Sequence, residues 1–522
     1  MGTAAPVRNK KPACDRNHRS VSLLYEPPPH GRGFSLLFRS FSVDKPSFLT
    51  YNRKRTPTGW RVRKGRFVML KMPDGRSVYR AMFSLAIPIS LQNLITFAVG
   101  FADNLMVGTL RDTAISAVYM GTQVQTFLTM MINGLSAAML ILIAQYWGKR
   151  DLDSIRRIAS IAMRAGLTIG LLLTVASVGF AGPILQLLTP DQAVVQAAIP
   201  YLQITGFSCL FFALSQITIA MMRGVENARV GMVISAFALL INVTLNYVFI
   251  FGLGPIPAMG VNGAAIATLI SRVFEAAAAV WYMLRREKVL CWRFSCLFMK
   301  CGVLVRDFVR YGGPVMAGDL VWSINTFCQS MIIGRLMKEA ITAASIMNQM
   351  NNLAFIWISG LSAAVGILTG ILVGAGETEK IRPYARLVQL TFLTVGVFSC
   401  GVILLLKGPF LSLYNITPAS QAIADQMMTL LSVTFIGTCY QASGLAGLVK
   451  AGGDTSFVFK NDTIFVFLVV LPSGFLALTL GAPAWVVMAC LKCDQILKCF
   501  VAVVKINRFN WMKNVTRQTN TA

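Results

Sequence analysis

Histidine is almost missing from this 522-residue chain: His18 and His30 are the only two. Charge is scarce as well. Asp, Glu, Lys and Arg make up 13% of the residues, against about 25% in soluble domains. No Gly-x-x-x-x-Gly-Lys-Ser/Thr loop is present to cradle a phosphate, which argues against a nucleotide-driven pump. The eleven cysteines suggest no disulfide framework. Most lie in apolar stretches, and Cys490 and Cys493 form a lone C-x-x-C without a second pair. With both histidines near the N-terminus, zinc and dithiol redox chemistry lack their residues. No cofactor, and no enzyme, is expected. No secretory leader is expected either, because the first residues hold no apolar core of that kind.

What the chain has is apolar sequence. Hydrophobic residues are 55% of it and the mean hydropathy is +0.63. A water-soluble core cannot hide that much, so the solvent is lipid. Twelve segments reach membrane-spanning length, near 82–107, 114–147, 158–182, 193–222, 230–252, 261–284, 307–334, 340–373, 384–406, 422–449, 456–480 and 483–505. The net charge of +27 is concentrated outside them. Beside membrane spans such charge reads as cytoplasmic anchoring rather than nucleic-acid binding. Lys149 and Arg150, Arg223 and Arg229, Arg285 to Lys300, Lys380 to Arg386, Lys450 and Lys460, and Lys505 to Arg517 fall in every second loop or at the C-terminus. This alternation places both termini in the cytoplasm. Residues 1–78 are basic, Pro- and Ser-rich and without apolar periodicity. They are expected to be a disordered extension, or to precede a true start at Met69 or Met72.

The spans form two matching sets. Phe101, Gly108, Leu110, Ala114, Gly148 and Arg156 recur as Phe327, Gly334, Leu336, Ala340, Gly374 and Arg382. Gly134-Leu-Ser-Ala-Ala138 returns as Gly360-Leu-Ser-Ala-Ala364, and Pro88 returns as Pro314. The register never slips, so the fold class expected is an all-α membrane protein with twelve transmembrane helices in two parallel six-helix lobes. A pseudo-two-fold axis along the membrane normal relates them. The expected boundaries are an N-terminal lobe at 79–284, a cytoplasmic linker at 285–306, a C-terminal lobe at 307–506 and a cytoplasmic tail at 507–522.

Acids inside spans mark cavities or partners, because ionised groups are costly in lipid. Asp103 stands in the first span, and its repeat counterpart is Gln329. The symmetry therefore breaks at a charge, as a cation-coupling site on one lobe would break it, and Na+ or H+ is the ion expected there. Asp319, midway along the seventh span, is the second candidate. Arg272 and Glu275 stand three apart on the sixth span and can pair. Lys492 and Asp494 read as a similar pair, although two residues apart on a helix points them to different sides. Asp462, near the end of its span, reads as a snorkelling group. Gln92, Asn93, Gln123, Asn242, Asn246, Asn325, Gln329, Asn348 and Gln349 are candidates for a wet cavity or for helix–helix bonds. Pro88 and Pro314 each remove a helical hydrogen bond at equivalent places and are candidate hinges.

These segments resemble the multidrug and toxic compound extrusion (MATE) family over roughly residues 80–510. The likeness rests on Ala86-Ile-Pro88, Phe101-Ala-Asp103-Asn-Leu-Met-Val-Gly108, Gln145-Tyr-Trp-Gly-Lys149, Met222-Arg-Gly224, Asn242-Val-Thr-Leu-Asn246, Gly260-Val-Asn-Gly263 and Lys450-Ala-Gly-Gly-Asp454. The last resembles bacterial members, particularly the DNA-damage-inducible-protein-like branch. The resemblance implies a monomer in the inner membrane of a bacterium, with two bundles around a V-shaped cavity. It also implies export of cationic or amphipathic small molecules as Na+ or H+ enters. The family's first-helix cation-site acid falls on Asp103, and its seventh-helix acid, often Glu, on Asp319. Asn246 stands where some members carry Asp, and no acid lies between Asp425 and Asp454, where some use one. The nearest rival is a flippase of lipid-linked or endogenous metabolite cargo in the same superfamily. Mid-span charge read as mainly acidic favours cationic or neutral cargo over that rival's anionic headgroups. The basic-acidic loop of major-facilitator transporters, Gly-x-x-x-Asp-Arg, is absent.

Overall fold

The computed structural model describes residues 75–107, 112–187, 192–253, 255, 257–414 and 416–517. The expectation for residues 1–74 lies outside them. The first lobe comprises α1 (Gly75–Val107), α2 (Asp112–Lys149), α3 (Leu152–Gly179), α4 (Gln192–Gly224), α5 (Ala228–Phe251) and α6 (Gly260–Arg285). The second comprises α7 (Val303–Ile333), α8 (Lys338–Gly374), α9 (Thr378–Leu411), α10 (Pro418–Lys450), α11 (Thr455–Thr479) and α12, which is split into Ala484–Leu491 and Asp494–Asn507. Ten helices among the described residues are long and apolar enough to cross a membrane. The two others are α7, 31 residues long but more polar, and the broken α12.

Helix ends follow local chemistry that hydropathy does not register. Asp151 caps α3, its carboxylate accepting from Ser154 N at 3.0 Å and from Ser154 Oγ at 2.7 Å. The helix therefore starts at Leu152, and Arg156 and Arg157 lie on it rather than in a loop. Thr417 caps α10 ahead of Pro418, whose missing N–H costs nothing at that position. At the N-terminus the expected boundary moves: Gly75 to Val78 are already helical, and Val78 is buried in the core.

The linker is also shorter than expected, because α7 begins at Val303. It is strapped to α3. Arg156 Nε donates to Leu290 O at 2.6 Å, Ser160 Oγ to Cys296 O at 2.5 Å and an Arg164 guanidinium nitrogen contacts Cys301 Sγ at 2.7 Å. Leu290 and Trp292 are buried there. The ten described cysteines are free.

The lobes pack with the symmetry of the sequence repeat. Each leading helix lies against the fifth helix of its own lobe and the second helix of the other: α1 against α5 and α8, α7 against α11 and α2. The repeated glycines explain the closeness. A Cβ on Gly134 would come within 3.2 Å of Met316 Cα, and one on Gly360 would run into the Ser90 backbone on α1. Ser90 and Met316 are themselves equivalent in the repeat. Nearer the basic loops, Gly148 abuts the carbonyl of Ile371 and Gly374 abuts the carbonyl of Gln145, again as an equivalent pair. Side chains of any size would hold these backbones apart.

Candidate functional site

Three constellations emerge. The first fills the N-terminal lobe. Asp103 on α1 accepts a hydrogen bond from Asn246 Nδ2 on α5. Asn246 Nδ2 also donates to Asn242 Oδ1 at 3.2 Å, and Asn242 reaches Ser271 Oγ on α6 at 3.5 Å. Asn246 Oδ1 is buried without a donor. Deeper in the lobe, an Arg223 guanidinium nitrogen donates to Gln92 Oε1 at 2.7 Å, and Gln92 Nε2 donates to Ser235 Oγ at 3.1 Å. Ser235 Oγ in turn donates to Glu275 Oε1 at 3.0 Å. Arg272 lies 2.8 Å from Glu275 and over the Phe212 ring. Gln92, Asn242 and Asn246, candidates for a wet cavity or for helix–helix bonds, are fully buried and bond neighbouring helices: Gln92 to α4 and α5, Asn246 to α1 and Asn242 to α6.

Glu275 is almost wholly buried and so depends on Arg272. Glu275→Ala is expected to lower stability by about 3–5 kcal/mol, since it leaves a guanidinium uncompensated. A double replacement, Arg272→Met with Glu275→Leu, is expected to recover most of that loss. Thermal unfolding in detergent compares the two.

The second constellation is a cavity of about 760 Å³, bordered mainly by the C-terminal lobe and by Leu140, Ile141 and Ala144 of α2. Asn325, Gln329 and Asn348 line it as expected of cavity residues. Gln329 donates to Asn325 Oδ1 at 3.2 Å and to Leu491 O at 3.4 Å. Asn93 bonds Ser359, which borders the cavity, across the lobes at 3.0 Å. The repeat pair Gln123 and Gln349 is exposed and joins neither constellation. Asp319 is paired with Lys450 at 3.4 Å.

The charged groups of α11 and α12 differ most from the sequence reading. Asp462 does not act as a lone snorkelling group: it binds Lys498 at 3.0 Å, and Asp494 binds the same ammonium at 3.1 Å. Lys450, Lys492 and Lys498 all border the cavity, so its lining is not mainly acidic. The signal available in the sequence was the i, i+4 spacing of Asp494 and Lys498, which places them on one face.

The third constellation joins the lobes at the end that carries the basic loops. Residues 508–517, expected to be a tail, fold back across it. Trp511 is completely buried, and its indole N–H bonds Ile506 O at 3.0 Å. Lys513 N bonds Gly452 O at 2.8 Å. The φ of +102° at Gly453 permits this approach and favours glycine there. Gln145 on α2 receives Val515 N at 2.9 Å and donates to Ala451 O at 3.1 Å. Arg517 reaches Asp307 at 2.5 and 2.9 Å. The segments Gln145-Tyr-Trp-Gly-Lys149 and Lys450-Ala-Gly-Gly-Asp454 thus meet in one clamp.

Asp454 anchors that clamp through Lys505 and Lys513, each at 2.8 Å. Burial works to raise its pKa, but the two ammonium groups outweigh it and hold it below the usual carboxylate value. A folded pKa below the unfolded one means that the stabilisation is complete above about pH 4 and fades as pH falls through the lower, folded value. Protease sensitivity of the tail is therefore expected to stay constant between about pH 5 and 8 and to rise only in strong acid.

Two parallel helical lobes with a cavity bordered mainly by the second define a membrane transporter. The MatE family model matches the chain twice, over residues 88–248 and 314–476, beginning at Pro88 and at Pro314. The chain belongs to the MatE family. It is a multi-pass membrane transporter, not an enzyme. It is 26% identical over 409 residues to the multidrug resistance protein MdtK of Edwardsiella ictaluri, covering 76% of this chain and 87% of that one. It is also 26% identical over 402 residues to MdtK of Klebsiella pneumoniae, with the same coverage. Its fold is similar to that of a MOP superfamily transporter from Pyrococcus furiosus, with a TM-score of 0.75, 18% identity, and 82% and 95% of the two chains covered. An outward-facing multidrug resistance MATE family transporter matches it with a TM-score of 0.75 and 18% identity, over 83% and 96% of the chains.

Proposed function

We infer that the chain is a secondary active antiporter that exports cationic or amphipathic small molecules in exchange for Na+ or H+ by alternating access. One observation carries the coupling: Asp103 has no cationic side chain in ion-pair contact among the described residues, and beside it lies the donorless oxygen of Asn246. A carboxylate and an amide oxygen suit a hard cation, which takes oxygen ligands. The carboxylate alone suits a proton. Either ion neutralises Asp103 and lets the surrounding amides rearrange. Asp319 acts as the second candidate acid, released when its contact with Lys450 opens. The multidrug resistance proteins similar to this chain support the cargo class.

The alternating basic loops support an orientation with both termini in the cytoplasm. The clamp at Gln145, Gly148 and Gly374 is then the cytoplasmic gate, and the conformation described is the one sealed at that gate. Ion binding at Asp103 favours release of cargo outward. The lobes then part at the gate, the ion leaves, and cargo enters from the cytoplasm or inner leaflet. Pro88 and Pro314, each inside an unbroken helix, supply the points where α1 and α7 bend. Differential binding of ion and cargo to the two states supplies the bias. One chain holds both lobes, so a monomer suffices.

The test is dye efflux from proteoliposomes under a Na+ gradient or a pH gradient, imposed separately. Efflux driven by one of them names the ion. If no cationic or amphipathic dye moves under either, the multidrug reading fails and lipid-linked or metabolite cargo replaces it.

A further inference from the structure

The pseudo-symmetry of the lobes fails in their second halves. In the N-terminal lobe, α4, α5 and α6 are each continuous helices. In the C-terminal lobe, α10 widens to π-helical geometry over Ala442–Lys450, α11 does so over Phe465–Val470, and α12 breaks between Leu491 and Asp494. Interruptions of this kind cluster at functional sites. Each of these three stretches contributes residues to the same cavity.

The break in α12 places Lys492 on that cavity. Of the three lysines bordering it, Lys450 is paired with Asp319, and Lys498 is shared by Asp462 and Asp494. Lys492 makes no ion pair and no side-chain hydrogen bond among the described residues. Its closest acid in sequence, Asp494, is occupied by Lys498 and by the Gln495 amide at 3.1 Å. In the opposite lobe Arg223 is hydrogen-bonded to Gln92 and Arg272 is paired with Glu275. An unneutralised ammonium at membrane depth is costly and is retained where it faces a cavity or a ligand. The same cavity is lined by the amides of Asn325 and Gln329 and by Trp322 and Phe355, and Gln329 donates to the carbonyl of Leu491, next to Lys492, at 3.4 Å.

We propose that Lys492 is an anion-binding subsite of the C-terminal cavity, taking the carboxylate or phosphate group of an amphipathic molecule whose apolar body lies against Trp322 and Phe355. The proposal rests on the transporter reading and narrows its cargo: an amphipathic molecule with an anionic group, zwitterions included, gains a charge-assisted bond that a purely cationic one lacks. The Asp462–Lys498–Asp494 cluster fixes α11 to α12 and holds both carboxylates in ion pairs with Lys498.

The test uses the full chain in phosphatidylcholine nanodiscs and two probes, rhodamine B and its ethyl ester. They share a xanthene body and differ in a free carboxylate. Wild type is expected to bind rhodamine B about tenfold or more tightly than the ester. Lys492→Gln is expected to erase that preference without weakening ester binding, which also shows that the variant is folded. Lys492→Arg is expected to restore most of it. Adding phosphatidylglycerol to the nanodiscs identifies the source of the anion: Lys492-dependent competition assigns the site to a lipid headgroup, and no competition assigns it to a soluble molecule. Equal binding of the two dyes by wild type, or a preference that survives Lys492→Gln, overturns the proposal. If the Lys492-dependent preference stands but no dye moves under an ion gradient, the antiport reading fails while the binding site remains.

Discussion

Asp103→Asn is expected to reduce ion-driven dye efflux by at least about tenfold, while the protein stays folded and still binds dye. The substitution is close to isosteric, and an amide at this position can still bond Asn246. What it removes is the charge. In the N-terminal network Glu275 is already neutralised by Arg272 at 2.8 Å, so its carboxylate gives an incoming ion little to gain. Asp103 has Asn246 as its hydrogen-bond partner and no ion pair among the described residues. An ion that binds there changes the net charge of the lobe, and it biases transport to the extent that the two end states bind it with different affinities. A tenfold loss corresponds to about 1.4 kcal/mol of coupling, within the range of about 1–3 kcal/mol that such couplings supply. The measurement is efflux from proteoliposomes under the gradient that drives wild type. Wild-type efflux from the variant would reduce Asp103 to a structural polar group and transfer the coupling role to Asp319.

Gly374→Val is expected to have a comparably large effect through a different physical cause. Gly374 lies against the Gln145 backbone, and Gly148 lies against Ile371 and Ala375. The contact is backbone to backbone, so no flexible side chain can move aside. Overpacking of this kind costs about 1–3 kcal/mol. Placed on one state only, that shifts the ratio of closed to open gate by about 5- to 150-fold. The variant should populate the state with the gate parted, lose most efflux, and show longer distances between spin labels placed on the α2–α3 and α8–α9 loops. Gly148→Val should do the same, since the repeat makes the two positions equivalent. A short gate distance with normal efflux in both variants would show that the clamp does not gate transport.

The repeat itself was fully legible in the chain. Its meaning became physical only where Gly134 and Gly360 meet α7 and α1 at equivalent points. Helix count and lobe order follow from hydropathy, which is a property of short stretches. Helix starts were less legible, because the caps at Asp151 and Thr417 depend on single hydrogen bonds. Gln92, Asn242 and Asn246 were recognisable as polar groups out of place in lipid. Their burial in helix–helix bonds, rather than around a cavity, depends on how α1, α5 and α6 are rotated.

By itself, then, the sequence determined a membrane protein of two parallel six-helix lobes, the symmetric glycine and proline positions, and an acid, Asp103, that one lobe has and the other lacks. These are composition, period and register, and they survive without knowledge of packing. Only the tertiary structure decided which charges find partners. Asp462, Asp494 and Lys498 converge because two helices pack face to face, and Lys492, beside the break in α12, has no ion-pair partner among the described residues. Likewise, residues 508–517 become a clamp because Trp511 finds a buried site next to Gly452. Pairing of charges is set by ångström-scale separations between helices far apart in the chain, and no local pattern encodes those distances.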